Sequence, residues 1–214
     1  MEEILKNISR VVMVGDEIQT RAFVQKALEK NVPELTILQE GLVDGIQRTG
    51  EKWQCNEYFL PDVILSAEAF KIGFQLIDPA IKKKQKKALG KKCVIGVVEG
   101  DMHELGKGLV CTMLVSSGFE VIDLGINVPK EKWLSAVATH KPQVLGLGAY
   151  MTTTMLQMKE IISAIEEKGY RKNLKIIIGG VPTSQEFCDE IGADAWGRDA
   201  VDALQKTRLL VGGE

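Results

Sequence analysis

Histidine is scarce in this sequence, and long apolar runs are missing. Only His103 and His140 occur among 214 residues. A zinc site needs several closely spaced nitrogen or sulfur ligands, and no such cluster is written here. The four cysteines, Cys55, Cys93, Cys111 and Cys188, include no CxxC pair. They are expected to be reduced thiols, not a disulfide frame. No stretch of roughly twenty apolar residues occurs, so no membrane-spanning helix is expected. The opening MEEILKNISR is acidic and has no apolar run leading to a cleavage site, so no targeting segment is expected and the expected location is the cytoplasm. An excess of one charge is also missing. Against 27 Lys and Arg stand 29 Asp and Glu, a formal charge of -2. Nothing in that balance draws nucleic acid or an anionic membrane by bulk electrostatics. What is left is an ordinary globular composition, 45% hydrophobic and 26% charged, in a chain long enough for one large domain or two small ones.

Two periods divide the chain. Residues 1–87 read as helical throughout. Apolar residues recur at three- and four-residue steps: Ile4, Ile8, Val11 and Val12, then Phe23, Val24, Ala27 and Leu28. Pro33 suits a helix start. Leu35 to Trp53 continues the helical period, and a last helix is expected from about Pro61 to Ile81. Short connections imply a four-helix-type antiparallel bundle. Lys82 to Lys92, KKKQKKALGKK, carries seven lysines and a glycine. It reads as a solvated helix end and linker; a nucleic-acid patch is the alternative, but no aromatic residue interleaves it. Residues 88–214 alternate strands and helices. The expected strands are Cys93–Val98, Glu120–Leu124, Val144–Tyr150, Leu174–Ile178 and Ala193–Trp196. The expected helices are Leu105–Ser117, Lys130–His140, Met155–Gly169, Ser184–Ile191 and Asp199–Leu210. Continuous apolar strands in βα units imply a parallel sheet covered on both faces. Five units fit a flavodoxin-like (Rossmann-like) α/β domain of strand order 2-1-3-4-5.

An open α/β sheet binds its ligand beyond the carboxyl ends of the strands, where the strand order reverses. Here that point lies between strands one and three. The loops are Glu99-Gly100-Asp101-Met102-His103-Glu104 and Gly148-Ala149-Tyr150-Met151-Thr152-Thr153-Thr154, joined by Gly179-Gly180-Val181-Pro182-Thr183 after strand four. A carboxylate two residues before a histidine can accept one ring N–H, fix the tautomer and make the other nitrogen a better ligand. The same residues would serve equally as an exposed loop histidine with an aspartate helix cap. A lone histidine cannot hold zinc tightly, but it can give one axial ligand to a metal held by a macrocycle. The threonines before the next helix would by themselves read as an N-cap, and Gly179-Gly180 as a turn.

Asp101-x-His103-x-x-Gly106 resembles the DxHxxG motif of base-off, histidine-on cobalamin proteins. Gly179-Gly180 is similar to the glycine pair of the same family. The helical half resembles the bundle preceding the cobalamin domain in methionine synthase and in corrinoid proteins of anaerobic methyltransferase systems. The resemblance covers nearly the whole chain. It implies that His103 is the metal ligand to cobalt, and that Asp101 and Thr154 complete a hydrogen-bonded relay. Cofactor contacts are implied for Met102, Glu104, Gly106, Gly148, Tyr150, Thr152, Gly179, Gly180 and Ala200. Trp53 and Leu60 are implied to cap the upper corrin face; without the resemblance they read as bundle core. One departure stands out. The family carries Ser-x-Leu where this chain has Gly148-Ala149-Tyr150, so the serine hydroxyl is missing and a tyrosine replaces the leucine.

The function so implied is that of a corrinoid methyl carrier, not catalytic alone. It would cycle between cob(I)alamin and methylcobalamin, taking a methyl group from a donor and passing it to tetrahydrofolate or a thiol such as coenzyme M. The implied partners are a substrate:corrinoid methyltransferase, a corrinoid:tetrahydrofolate or thiol methyltransferase, and a reductive activator. Methoxylated aromatics, methanol, methylamines and betaines all serve as donors to carriers of this type; a methoxylated aromatic (O-demethylase system) is the expected donor here, although no residue decides. The alternatives are the small subunit of an adenosylcobalamin mutase, which lacks the capping bundle, and a cobalamin photosensor, which carries a DNA-binding domain. The N-terminus here offers no basic recognition helix.

Overall fold

The computed structural model describes residues 2–83 and 90–212. The chain divides into two compact units, Met1–Lys84 and Gln85–Glu214. Most of the central Lys82–Lys92 run, residues 84–89, lies outside the described residues.

The first unit is helical. It holds α1 (Glu2–Met13), α2 (Glu17–Glu29), α3 (Glu34–Thr36), a π-helical turn Ile37–Val43, α4 (Asp44–Gln54) and α5 (Leu60–Lys83). α1 packs on α2 and α4, and α5 packs on the same two, which closes a four-helix arrangement. Asp16 caps α2 by accepting the Gln19 N–H at 2.9 Å. The regular helix expected from Leu35 to Trp53 is interrupted by the π turn. Gly41 and Gly45 lie here against α1: a Cβ on Gly45 would come within 2.7 Å of the Ser9 carbonyl oxygen. Small residues let the backbones approach this closely. α5 runs past the expected end at Ile81 and contains Pro79, which removes one helical N–H bond.

The second unit is a five-stranded parallel sheet of order β2-β1-β3-β4-β5. Its strands are β1 (Lys92–Val97), β2 (Glu120–Asp123), β3 (Val144–Gly148), β4 (Lys175–Gly179) and β5 (Ala195–Gly197). Between and after them run α6 (Leu105–Ser116), α7 (Lys130–His140), α8 (Leu156–Glu167), α9 (Gln185–Glu190) and α10 (Ala200–Leu210). Side-chain alternation sorts the sheet into two faces. Cys93, Val144 and Ile177 pack with Leu114 of α6 and Ala203 of α10. Val94, Leu145, Leu147, Ile176 and Ile178 pack with Trp133 of α7 and with Met158, Ile161 and Ile165 of α8. β3 ends two residues before the expected Tyr150, because the Tyr150 N–H leaves the ladder for a side chain described below. The other strand ends differ by one or two residues.

Trp133 anchors the second face. It is fully buried, its Nε1 donates to the Val128 carbonyl at 3.1 Å, and its ring lies over Gly96, where a Cβ would come within 2.9 Å of Cη2. Trp133→Ala is expected to destabilise the fold by about 3–5 kcal/mol, read as a lowered urea midpoint. Trp133→Phe should recover part of that loss.

Candidate functional site

The strand order reverses between β1 and β3, and the loops leaving those two strands meet there. Asp101 is fully buried, although its neighbours Gly100, Met102 and His103 are exposed. Its Oδ1 accepts the His103 backbone N–H at 3.2 Å and lies 2.7 Å from His103 Nδ1. Its Oδ2 accepts the Tyr150 N–H at 2.7 Å, the Met151 N–H at 3.2 Å and the Thr154 hydroxyl at 2.7 Å. Burial opposes ionisation of this carboxyl, but the donors from Tyr150, His103 and Thr154 outweigh it and hold its pKa at about 2. A carboxylate at neutral pH can only accept, so the proton between it and His103 sits on Nδ1. In a neutral ring Nε2 then carries the lone pair. The His103 side chain is 57% exposed, so this lone pair belongs to a ring open to a ligand.

The threonines do not cap α8. Its first turn has no side-chain cap. Thr154 is buried against Asp101, while Thr152 and Thr153 are exposed. Asp101 does not cap α6 either, since Glu104 holds that position without a side-chain bond. Tyr150 sets its ring 5.5 Å from the His103 ring. Its hydroxyl lies against Gly106, where any Cβ would overlap it. Burial, then the nearby Asp101 charge, pushes the phenol up to about 12, so it stays neutral.

Gly148 and Gly179 end β3 and β4 side by side. Gly180 has φ +121°, and a Cβ there would overlap the Ala149 carbonyl oxygen; only glycine fits. The loop beyond it is tied down by Thr183, which donates to the Gly180 carbonyl at 2.6 Å and accepts from Trp196 Nε1 at 3.0 Å. Ala200 opens α10 behind its capping residue Asp199. Met102, Met151 and Val181 are exposed apolar side chains on these same loops. Trp53 and Leu60 belong to the helical unit and are also exposed, so they are not bundle core. A basic cleft of about 270 Å³, lined by Lys91, Gln143, Arg171, Lys172 and Lys175, lies at the other end of the strands and takes no part in this site.

Some contributors carry no motif. Lys107 is buried and grips Asp123 at the end of β2 through contacts of 2.7 and 2.9 Å. Burial opposes its charge, but Asp123 outweighs it and raises the ammonium above its ordinary value. Lysine buried one turn after a loop histidine is a weak signal, yet it was readable. Asn127, between β2 and α7, binds the His103 loop through Gly100 and Asp101. Its only trace in the sequence is an asparagine two residues after a glycine, in Gly125-Ile126-Asn127.

Among the described residues no three His, Cys, Asp or Glu side chains converge to hold a metal ion. A metal at His103 would therefore need ligands from outside the described residues. The site offers one exposed imidazole whose Nδ1 faces the Asp101 carboxylate, exposed Met102 beside it in the chain, and glycines at the ends of β3 and β4. Fold and site together define an α/β domain with an open crevice where the strand order reverses.

Residues 91–205 match the family described as B12 binding domain, and residues 4–77 match a second family of the same description. A corrinoid protein of Desulfitobacterium hafniense (strain Y51) is 38% identical over 98% of both chains. Trimethylamine corrinoid protein 1 of Methanosarcina acetivorans is 35% identical over 98% of both. Among solved structures, the monomethylamine corrinoid protein of Methanosarcina barkeri superposes with a TM-score of 0.87 at 33% identity, over 96% of this chain and 97% of that one. A chain of the methanol:cobalamin methyltransferase complex of Methanosarcina barkeri gives 0.55 at 29%, over 99% and 81%. The chain belongs to the corrinoid proteins, related to those of methylamine methyltransferase systems. It binds cobalamin and carries methyl groups together with partner methyltransferases.

Because Asp101 ionises at about 2 when folded and near 3.9 when unfolded, it contributes stability that is fully present above about pH 4. That contribution, about 2 kcal/mol, is lost as pH falls through about 2. Asp101→Asn is expected to be less stable than the parent at pH 7 by about that amount, and urea titrations from pH 4 toward pH 2 should show the gap closing.

Proposed function

We propose that His103 is the lower axial ligand to the cobalt of cobalamin, with Asp101 and Thr154 as its relay, and that this chain carries the methyl group of a methylated amine. The observation that carries the reading is the buried Asp101 carboxylate 2.7 Å from Nδ1 of an exposed imidazole. When bound, the cofactor supplies a nucleophilic cobalt centre that can accept and release a methyl group. The chain's own residues do the rest. His103 offers Nε2, Asp101 keeps the proton on Nδ1, and Thr154 holds Asp101. A proton arriving at Nε2 would stop the ring from being a ligand, and the Asp101 carboxylate at Nδ1 would hold the resulting imidazolium charge, so proton uptake and ligand release are coupled. Gly106, Gly148, Gly179 and Gly180, with Thr152 and Ala200, border the path for the nucleotide tail. Met102, Glu104 and Tyr150 lie beside His103 on the lower side.

Trp53 and Leu60 are assigned to the cap over the upper face, on the support of their exposure in the helical unit beside exposed Phe59 and Ile64. The expected boundary at residue 87 lies close to the division of the two units between Lys84 and Gln85. The methylated-amine donor is favoured over a methoxylated aromatic because relatives spanning nearly all of the chain are trimethylamine and dimethylamine corrinoid proteins. The acceptor enzyme uses tetrahydrofolate or a thiol, and a reductive activator returns inactive cobalt to service. Among the described residues no helix is long and apolar enough to cross a membrane.

Electron paramagnetic resonance of the Co(II) form tests the ligand. One nitrogen splitting is expected, changing with 15N-histidine labelling and vanishing in His103→Ala. A splitting indifferent to the label would overturn the assignment. For the cap, Trp53→Ala and Leu60→Ala should each leave folding stability within about 0.5 kcal/mol, as exposed positions do. Both should raise the rate at which oxidant inactivates the reduced, cofactor-loaded protein; unchanged rates would place the cap elsewhere.

A further inference from the structure

The loop that carries His103 has no ladder of its own. From Glu99 to Glu104 every residue except Asp101 is exposed. Such a segment samples many conformations unless something outside it removes that freedom. Asp101 orients the imidazole, so whatever fixes the backbone of Asp101 decides where the ring points.

Asn127 does this from a different loop. Its side-chain Oδ1 accepts the Gly100 N–H at 2.8 Å. Its own backbone N–H donates to the Asp101 carbonyl oxygen at 3.0 Å. The two bonds bracket the Gly100–Asp101 peptide, leaving Asp101 little room to rotate. Asn127 can make both because its φ is +50°, a left-handed conformation that asparagine and glycine adopt at least strain. The base of this bracket is itself rigid. The Val128 N–H donates to the Val97 carbonyl and the Val97 N–H donates to the Gly125 carbonyl, both at 3.0 Å. Trp133 holds the Val128 carbonyl at 3.1 Å. A continuous path therefore runs from the buried sheet through Asn127 to Asp101 and on to His103.

We propose that Asn127 is a positioning residue for His103, acting through Asp101, so that the imidazole presents Nε2 for coordination before any cofactor arrives. The inference rests on the His103 reading above, but part of its test needs no cofactor. Asn127→Gly keeps the left-handed backbone and removes the side-chain acceptor. Asn127→Asp keeps both.

In cofactor-free protein at about pH 8.5, where imidazole is uncharged, 15N spectra of labelled histidine report the tautomer, with His140→Gln used to assign the signals. The parent is expected to hold the proton on Nδ1. Asn127→Gly should spread it over both ring nitrogens and speed hydrogen exchange at the Gly100 amide. It should also weaken hydroxocobalamin binding about tenfold, the low end for loss of an outer partner of a metal-ligating histidine. Asn127→Asp should restore all three. An Asn127→Gly protein with parental tautomer and parental affinity, even at a lowered melting temperature, would make Asn127 a loop stabiliser only and overturn the proposal. So would an unprotected Gly100 amide in the parent itself, a result that does not depend on any variant folding. If the parent binds no hydroxocobalamin, the His103 reading fails while the ring-nitrogen measurement still decides the role of Asn127.

Discussion

A buried carboxylate keeps its charge only where donors replace the water it has lost. Asp101 has donors from two places in the chain: the backbone and ring of His103, and Tyr150, Met151 and Thr154 beyond β3. These are the loops on either side of the point where the strand order reverses. The interaction that orients the imidazole is thus also the one that fixes the two walls of the ligand crevice. If either loop moved, the cost would be an unsatisfied buried charge, larger than the worth of any one of these hydrogen bonds. The site is pre-organised for this reason and not because its loops are intrinsically stiff.

The departure at Gly148-Ala149-Tyr150 can be understood on the same terms. What Asp101 takes from position 150 is a backbone N–H, which any residue but proline offers. That bond does not depend on the side chain at position 150. In this chain that side chain is a phenol lying over Gly106 and tilted against the His103 ring. Gly106 is therefore needed by the protein itself, since a Cβ would displace the tyrosine. Lys107, one residue on, adds a second buried charge, paired with Asp123. It ties the start of α6 to the end of β2, the strand whose following loop carries Asn127.

The parallel sheet and its strand order were legible because each strand is a continuous apolar run between helical periods, and because five βα units admit few arrangements. Asp101, His103 and Thr154 were legible through a motif and its resemblance. The end of β3 was not, since Val144–Tyr150 is apolar throughout and only a tertiary bond diverts the Tyr150 N–H. The π turn at Ile37–Val43 was hidden for a related reason: one extra residue in a turn barely disturbs helical periodicity, and Gly41 and Gly45 reveal their role only against α1. Asn127 was invisible because it acts through two backbone groups of a loop 26 residues away in sequence, and hydrogen bonds to backbone leave no side-chain pattern to read.

Each unit taken alone leaves exposed what a folded domain ordinarily covers. In the sheet unit Met102, next to His103 in the chain, and Val181 on the loop after β4 are exposed; in the helical unit Trp53, Phe59, Leu60 and Ile64 are exposed. Scattered apolar residues on a surface need no explanation, but clusters of them mark a place where something binds. Whatever binds the folded chain and not the unfolded one raises its stability in proportion to the logarithm of its concentration over Kd. Apolar surface that a bound partner covers therefore adds to the stability of the loaded chain, while the buried Asp101 carboxylate, whose donors all come from the chain itself, holds its arrangement without one.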